Sequence, residues 1–332
     1  MLKTIKTSEL DVGMYVILPS SWLKHSFLKG SFTINNQEDI QRITDFGIHE
    51  VSIDTAKGLS FPNTEMISHA GDEPQLEDQQ APVQWSPEKI VPDELKEALK
   101  DRKMAKEKKA TVVYHSSVEL MKRLLDDPKT ENIREVKKGI ADVVDGIILD
   151  DATAKHMLAI TTHDYYTYTH SVNVGILSIM LSKALFKNMD SHNMHELGAG
   201  FFLHDLGKVR VDPAIINKPG KLTEEEMKKM RTHPWQSYKI LTEANQLSEE
   251  CRIIALQHHE REDGRGYPRR LRGEQIHIYG RIGCIADVYD ALTAARSYKP
   301  KLSPFEALRI MKEEMINHFH KDLFERFVLL FR

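Results

Sequence analysis

Apolar residues recur at helical spacing through most of the chain. Val118, Met121 and Leu124 share one helical face, and the same spacing returns in residues 140–147 and 172–180. Residues three and four positions apart lie on the same side of an α-helix. No run in this part alternates between apolar and polar residues clearly enough to indicate a half-buried strand. The pattern therefore predicts an all-α domain in the C-terminal two thirds.

The first part of the chain has a different pattern. Short β-branched runs at 15–18 and 51–54, and an alternating run at 31–34, are typical of strands. A short helix is predicted at 37–46. No candidate catalytic cluster lies here, so residues 1–68 are expected to form a small α+β domain with an accessory or regulatory role.

Two segments connect these parts. Residues 69–91 are polar and interrupted by prolines, which is typical of a linker. Residues 92–135 are expected to form a charged connecting helix region, in which 96–110 (KEALKDRKMAKEKKA) follows a helical pattern. An anionic partner could bind this basic run, but a solvated helix face is favoured. The helical domain would then span residues 136–332.

Composition narrows the class of protein. The net charge of −3 gives no overall positive field for a nucleic-acid polymer. Two cysteines, Cys251 and Cys284, have no disulfide-framework spacing and fit buried thiols in a reducing compartment. The N-terminus lacks the apolar core of a signal peptide, and the longest apolar region, 172–186, is shorter than the about 20 residues of a membrane span. A cytoplasmic protein without a membrane span is expected.

Possible metal ligands lie at or near predicted apolar helices. In FFLHDLGKVR, residues 201–210, an apolar helix leads directly to His204 and Asp205. A buried charge at this position is costly unless a metal or a partner compensates it. Facing helices of a bundle can deliver such ligands to one interior site. The remaining candidates on other apolar segments are His170, His233, His258, His259 and Asp287.

Each candidate also has an ordinary structural interpretation. A single histidine on an apolar helix is more often a core residue with a hydrogen-bond partner, and an HD dipeptide alone is a weak signal. His233 followed by Pro234 is also a common helix start. Seven such residues in one helical domain favour a shared metal site.

Three motifs carry a specific resemblance. HDLGK (204–208), HHEREDGRGYP (258–268) and ADVYDALTAARSYKP (286–300), in this order, resemble the HD-GYP family of bacterial phosphodiesterases. That family is a branch of the HD metal-dependent phosphohydrolases. The likeness covers about residues 150–328, and about the first 130 residues resemble the small N-terminal domain of unknown function found in one subset. Longer relatives of this subset continue into a further tail.

The resemblance implies an all-α HD-domain helical bundle and a metal-dependent phosphodiesterase. Its substrate would be cyclic di-GMP, hydrolysed by a metal-activated bridging hydroxide to linear pGpG and, in some members, onward to GMP. Two divalent metal ions are implied, most often iron, with manganese as the alternative. A ligand set of nitrogen and oxygen suits either metal. The implied ligands are His170, His204, Asp205, His233, His258, His259 and Asp287, with Asp205 bridging the two ions.

One departure affects the expected number of metals. Some family members hold a third metal with a glutamate four residues before the first ligand histidine. Tyr166 stands at that position in this chain. Two metals rather than three are therefore expected.

The resemblance also implies residues that contact substrate. Asp205 and Lys208 are the catalytic candidates, and Lys208 is expected to neutralise a phosphate oxygen. Arg296 and Lys299 match family residues that bind the second phosphate, for which a planar guanidinium and an ammonium are suited.

The GYP loop is expected to face the ligand. Gly264 and Gly266 let the chain turn and approach a ligand closely, and Pro268 stiffens the end of the loop. Gly266 and Tyr267 are therefore substrate-binding candidates, Tyr267 through its ring or its hydroxyl.

Two other readings remain open. In the first, the chain is a cyclic-dinucleotide receptor or interaction module with little turnover, which signals to a protein partner through its N-terminal domain. In the second, it is a hydrolase of mixed cyclic GMP-AMP, because the predicted metal site would contact the phosphodiester and not the base.

Overall fold

The computed structural model describes most of the chain. The described residues are 2–17, 31–34, 37–45, 50–55, 57, 90–101, 103–160, 167–218, 220–294 and 302–331. The chain divides into two compact units, Met1–Pro82 and Val83–Arg332. The predicted boundaries after residues 68, 91 and 135 remain predictions.

The first unit contains an antiparallel sheet. Its described strands are β1 (Leu2–Lys6), β2 (Tyr15–Ile17), β3 (Ser31–Thr33) and β4 (Glu50–Asp54), in the order β1-β4-β2-β3. Helix α1 spans Gln37–Asp45. The apolar core includes Ile5, Val16, Ile34, Ile43, Val51 and Ile53. The small α+β fold is confirmed, and the sequence pattern missed β1.

Pairing with a distant segment explains why β1 was missed. The stretch Leu2–Lys6 contains two apolar residues, too few for a strong alternation signal. It pairs along its whole length with β4, from Leu2 opposite Asp54 to Lys6 opposite Glu50. The strand therefore depends on a partner far along the chain, which local propensity does not report.

The described part of the second unit is helical and contains no strand, which confirms the predicted all-α domain. The first helices are α2 (Asp93–Lys100), α3 (Lys106–Asp126), α4 (Thr130–Leu149), α5 (Asp151–Ile160), α6 (Thr167–Leu185) and α7 (Met194–Leu203). The later helices are α8 (Pro213–Ile216), α9 (Glu224–Met230), α10 (His233–Glu243), α11 (Glu249–Gln257), α12 (Ile278–Thr293), α13 (Pro304–Glu313) and α14 (Lys321–Leu329). None of the described helices is both long and apolar enough to cross a membrane.

The helical pattern predicted for residues 96–110 is interrupted after α2. The Asp101 carboxylate accepts the backbone N–H groups of Lys103 (2.8 Å) and Met104 (3.2 Å). An aspartate that bonds nearby N–H groups competes with helix continuation. The next helix, α3, is also more than a charged connector, because Val113 and Tyr114 are both 1% exposed.

Local capping fixes where several helices near the site begin. The Asn193 side chain accepts the Glu196 N–H at the start of α7, and Ser248 accepts the Cys251 N–H at the start of α11. Such side chains satisfy donors that the first helical turn leaves unpaired. Helix α10 begins at His233, as predicted, with Pro234 in its first turn.

Candidate metal centre and the Tyr267 loop

The structure brings all seven candidate metal ligands into one cluster. Six of them are at most 8% exposed, and only the His259 side chain, at 21%, is partly accessible. His170 lies on α6, His204 and Asp205 follow α7, His233 begins α10, His258 and His259 follow α11, and Asp287 lies on α12.

The cluster consists of two groups that share Asp205. In each group the possible ligand atoms lie within 4.8 Å of one another. One group is His170, His204 and Asp205, and the other is Asp205, His233, His258 and His259. Asp287 contacts both groups, with Oδ1 3.1 Å from His170 Nε2 and Oδ2 3.2 Å from His259 Nδ1. The geometry therefore offers two adjacent cation positions with a common carboxylate.

Four buried imidazoles are anchored through Nδ1. Each Nδ1 lies against an oxygen that can only accept, so Nδ1 carries the proton and the Nε2 lone pair faces the cluster. The bonds run from His204 to Phe201 O (2.7 Å), His233 to Met230 O (2.8 Å), His258 to Ile254 O (3.0 Å) and His170 to Asp290 Oδ2 (2.7 Å).

In this arrangement the Nε2 lone pairs and the Asp205 carboxylate oxygens, which all accept hydrogen bonds, face one another. His233 Nε2 and His258 Nε2 are 3.2 Å apart, and Asp205 Oδ1 lies 3.1 Å from His233 Nε2. Within the described part of the chain, His204 Nε2 and Asp205 Oδ1 are buried without a hydrogen-bond partner. Buried lone pairs that lack a donor are costly. A cation bound among them would satisfy these atoms, and imidazole and carboxylate donors fit iron or manganese.

Burial and local charge set the protonation of the cluster. Burial disfavours the charged form of Asp205, but the Lys208 ammonium beside it lowers the pKa of Asp205 well below its usual value. Burial lowers the pKa of His233 to about 3 and that of His258 well below its usual value. The site therefore combines an ionised carboxylate with neutral imidazoles, the forms that bind metal.

Lys208 lies beside the carboxylate that both groups share. Its ammonium donates a hydrogen bond to Asp205 Oδ2, and the residue is 9% exposed. It belongs to a short 3-10 helix, Leu206–Arg210, that follows α7. The apolar α-helix that leads to His204 and Asp205 ends at Leu203. An ammonium has three N–H donors, so contact with Asp205 is compatible with the predicted contact to phosphate.

Gly207 and Ser237 hold this turn against α10. The Ser237 hydroxyl donates to His204 O and accepts the Gly207 N–H, both at 2.7 Å. A Cβ at position 207 would lie 2.1 Å from His233 O. Glycine is therefore required here by the close approach of two backbones that each carry a metal-ligand candidate.

The GYP loop, residues 264–268, packs onto the partly accessible edge of the cluster and is called the Tyr267 loop below. The rings of Tyr267 and His259 have centroids 4.5 Å apart and are inclined by 30°. The Tyr267 N–H donates to His259 O at 3.1 Å, and the Arg231 guanidinium lies 5.4 Å from the centre of the Tyr267 ring. This loop therefore places an aromatic face and a cation beside the metal-ligand candidates.

Glycine occupies positions 264 and 266 of the loop for different structural reasons. Gly264 has φ +74°, which fits the predicted turn. A Cβ at Gly266 would lie 2.5 Å from His259 O and 2.6 Å from Arg261 N. Gly266 is thus needed because the loop packs against the backbone that carries His259. Its predicted contact with substrate remains a prediction.

Two carboxylates near the site were not assigned a role from the sequence. Glu260, 1% exposed, accepts the N–H of Arg269 (2.7 Å) and of Leu271 (2.9 Å), and so holds the end of the Tyr267 loop. Asp290, 3% exposed, accepts from His170. Its spacing of three residues from Asp287 on α12 was the available signal, because such residues share a helix face.

Three residues on which predictions from the sequence rest lie outside the described residues. They are Tyr166, Arg296 and Lys299. The expectations attached to them, the absence of a third metal and the binding of a second phosphate, remain predictions.

Comparison with known proteins identifies the family. The HD domain family matches residues 152–323, and the domain of unknown function DUF3391 matches residues 2–138. The cyclic di-GMP phosphodiesterase PA4108 of Pseudomonas aeruginosa is 34% identical over 330 residues, which cover 99% of this chain and 76% of that protein. The chain therefore belongs to the HD domain family, in its HD-GYP branch, and carries a DUF3391 region before the HD domain.

Two further similarities bear on substrate and fold. The 3'3'-cGAMP-specific phosphodiesterase 3 of Vibrio cholerae is 30% identical over 209 residues, covering 60% of this chain and 45% of that protein. The solved structure of Bd1817, an HDG"Y"P protein from Bdellovibrio bacteriovorus, aligns over 100% of this chain and 99% of its own with a TM-score of 0.62. At 15% sequence identity this second similarity supports the fold alone.

Proposed function

We propose that this chain is a metal-dependent phosphodiesterase that hydrolyses cyclic di-GMP to pGpG, with pGpG as a second substrate to be cleaved to GMP. The observation that carries the proposal is the cluster of seven histidine and aspartate ligand candidates that share Asp205, next to the Tyr267 loop. The 34% identity of nearly the whole chain to a protein named as a cyclic di-GMP phosphodiesterase supports it.

The proposed cofactor is a pair of divalent ions, iron first and manganese second. His170 and His204 would hold one ion and His233, His258 and His259 the other, with Asp205 shared by both and Asp287 completing the set. Bound ions of this kind supply Lewis-acid charge that polarises a phosphodiester and lowers the pKa of the attacking water. The nitrogen and oxygen donors favour neither iron nor manganese, so the order of the two metals is taken from the family resemblance.

The residues around the ions prepare the site for an anionic substrate. Lys208 keeps Asp205 ionised and has further N–H donors to offer a phosphate oxygen. The Tyr267 ring, which packs against His259 with the Arg231 guanidinium nearby, is the aromatic group to which we assign contact with a base. We also assign Arg296 and Lys299 to the second phosphate.

The direct test uses protein purified without oxygen and loaded with Fe²⁺ or Mn²⁺. Metal analysis should give about two ions per chain. Chromatography of the products of cyclic di-GMP should show pGpG, and a chelator added before the substrate should prevent its formation. Intact cyclic di-GMP with both metals would overturn the proposal. Binding of cyclic di-GMP that persists after chelation, without turnover, would instead indicate a receptor.

A mixed cyclic GMP-AMP is the second candidate substrate, because a relative named for that specificity matches 60% of the chain. The metal cluster contacts a phosphodiester and does not distinguish bases. Hydrolysis of both cyclic dinucleotides in one mixture gives the ratio of their kcat/KM values directly. We expect cyclic di-GMP to be consumed first, and the reverse order would make cyclic GMP-AMP the substrate.

The remaining parts of the proposal concern partners and location. We propose that residues 1–68 bind a signalling partner rather than a nucleic-acid polymer. A cytoplasmic location is supported by Cys251 and Cys284, which are both buried and unpaired. Burial raises the pKa of Cys251 to about 11, so this thiol is inert, as in ordinary core packing.

A further inference from the structure

A buried chain of hydrogen bonds connects helix α3 to the metal cluster. The Tyr114 hydroxyl donates to Asn173 Oδ1 (2.8 Å), and Asn173 Nδ2 donates to Asp290 Oδ1 (2.7 Å). The other oxygen, Asp290 Oδ2, lies 2.7 Å from His170 Nδ1. Tyr114, Asn173, His170 and Asp290 are between 1% and 3% exposed.

The chemistry of these groups fixes the direction of each bond. An ionised Asp290 can only accept, so both the Asn173 amide and the His170 ring must donate to it. The Asn173 oxygen is then left to accept from Tyr114. His170 is held with its proton on Nδ1 and its Nε2 lone pair toward Asp205 and Asp287, which lie 3.4 Å and 3.1 Å away.

His170 needs this support more than the other buried histidines do. His204, His233 and His258 each donate to a carbonyl in the last turn of a helix, where most carbonyls lack a helical N–H partner, although Ile254 O also accepts the His258 N–H at 3.0 Å. His170 lies in the first turn of α6, where the unpaired backbone groups are N–H donors instead. A side-chain acceptor must therefore take the place of the carbonyl.

The first residue of the chain of bonds comes from an unexpected part of the sequence. Tyr114 lies on α3, within residues 2–138 that match the domain of unknown function, whereas the HD domain match begins at residue 152. Tyr114 and the metal cluster nevertheless belong to the same compact unit, Val83–Arg332. The chain of hydrogen bonds that ends at His170 thus begins at a residue outside the HD domain match.

We propose that Tyr114 and Asn173 are positioning residues for His170, acting through Asp290, and that the α3 segment thereby sets the metal affinity of the His170 side of the site. The proposal rests on the metal-dependent function proposed above. Because His170 belongs to one of the two ligand groups, the effect is confined to one of the two ions.

The test measures Mn²⁺ binding by the metal-free full chain in competition with a chelator, with free Mn²⁺ followed by electron paramagnetic resonance. Asp290→Asn is expected to weaken one of the two sites about 10–100-fold, as loss of an outer-shell carboxylate does. Tyr114→Phe, which removes only the hydroxyl, is expected to weaken the same site about threefold, because its influence is relayed through two further bonds. The second site should keep its affinity in both variants.

Ser117→Ala is the matched control. Ser117 also lies on α3 and is fully buried, but its hydroxyl donates to Val113 O within the same helix. This variant should bind both ions as the wild type does, and thermal unfolding of each metal-free variant checks that the fold is retained.

The possible results separate the two proposals. Wild-type affinity at both sites in Tyr114→Phe, or equal weakening at both sites, would overturn the role of α3. Failure of the wild-type chain to bind two ions would instead overturn the metal-dependent function itself.

Discussion

The buried and exposed sides of the cluster are held in place by different means. The floor, which we define as His170, His204, His233 and His258, is anchored by Nδ1 bonds to protein acceptors. The rim, defined as His259 and residues 260–271, has His259 directed at Asp287 and covered by the Tyr267 ring. The floor is thus preorganised for metal, whereas the rim is the partly accessible side of the cluster, by which we propose that substrate enters. Changes in the floor or at His259 should alter metal binding, and changes in residues 260–271 of the rim should alter substrate affinity.

The largest effect is expected for Asp205→Asn, because both ligand groups use this carboxylate. An amide is neutral and its nitrogen is no metal ligand, so both ions should be lost or weakly bound. We expect turnover to fall by at least about 10²–10³-fold. Metal content and kcat are measured together. Asp212→Asn is the control, since Asp212 is exposed and caps α8, a task asparagine also performs. Full metal content in Asp205→Asn would show that the floor does not depend on a shared carboxylate.

Acid should disrupt the floor in the metal-free protein. His233 has a pKa of about 3 when folded and about 6.5 when unfolded, so unfolding takes up a proton between these values. Stability therefore rises with pH in this window and is lost as the pH falls from about 6.5 toward about 3. The contribution of His233 approaches about 1.4 kcal/mol per pH unit inside this window and amounts to about 2 kcal/mol between pH 7 and pH 5.

Urea unfolding of the metal-free chain at pH 7, 6 and 5, followed by helix circular dichroism, measures this slope. His233→Gln should lower the number of protons taken up on unfolding at pH 5 by about one, which reduces the slope of the unfolding free energy against pH by about 1.4 kcal/mol per pH unit. An unchanged slope in that variant would mean that His233 is not held neutral by burial, and the floor would then differ less from the rim.

The sequence predicted the convergence of the seven ligand candidates but not what orients them. Three floor histidines use carbonyls three or four residues earlier in the chain, a local feature of helix ends. The His170 anchor is Asp290, 120 residues away, and only the packing of α6 against α12 brings them together. Local patterns therefore locate the ligands, whereas long-range packing supplies their support.

The rim also contains contacts that the sequence did not predict. Gly266 was predicted to allow a turn and close approach to a ligand, but the structure gives contact with the backbone of His259 and Arg261 as the reason for glycine. Glu260 received no role from the sequence, because its carboxylate accepts the N–H groups of Arg269 and Leu271, which only the folded loop brings near it. Neither contact can be read from propensity or spacing, since both depend on how the loop folds back.

A smaller effect, on stability, is expected for Ser237→Ala. The change removes the hydroxyl that joins His204 O to the Gly207 N–H, and leaves both buried groups without this partner. The expected loss is about 1–3 kcal/mol in the free energy of unfolding, with a weaker His204 side of the site. Ser178→Ala is the control, because within the described residues the buried Ser178 hydroxyl has no hydrogen-bond partner. Equal stability losses in both variants would show that the Ser237 bridge contributes nothing specific to the floor.

The smallest effect, and the sharpest distinction between floor and rim, is expected for Glu260→Gln. Glutamine keeps one acceptor for Arg269 or Leu271 but turns an N–H₂ group toward the other N–H, so one bond that holds the end of the loop is lost. The Tyr267 ring should then be less well placed, raising KM about threefold, while the floor still binds metal with wild-type affinity. Steady-state kinetics and the Mn²⁺ competition assay measure the two sides separately, with the exposed Glu274→Gln as the charge-matched control. A loss of metal affinity in Glu260→Gln would mean that the loop also positions the metal ligands, since His259 directly precedes Glu260. Metal binding would then depend on the rim as well as on the floor.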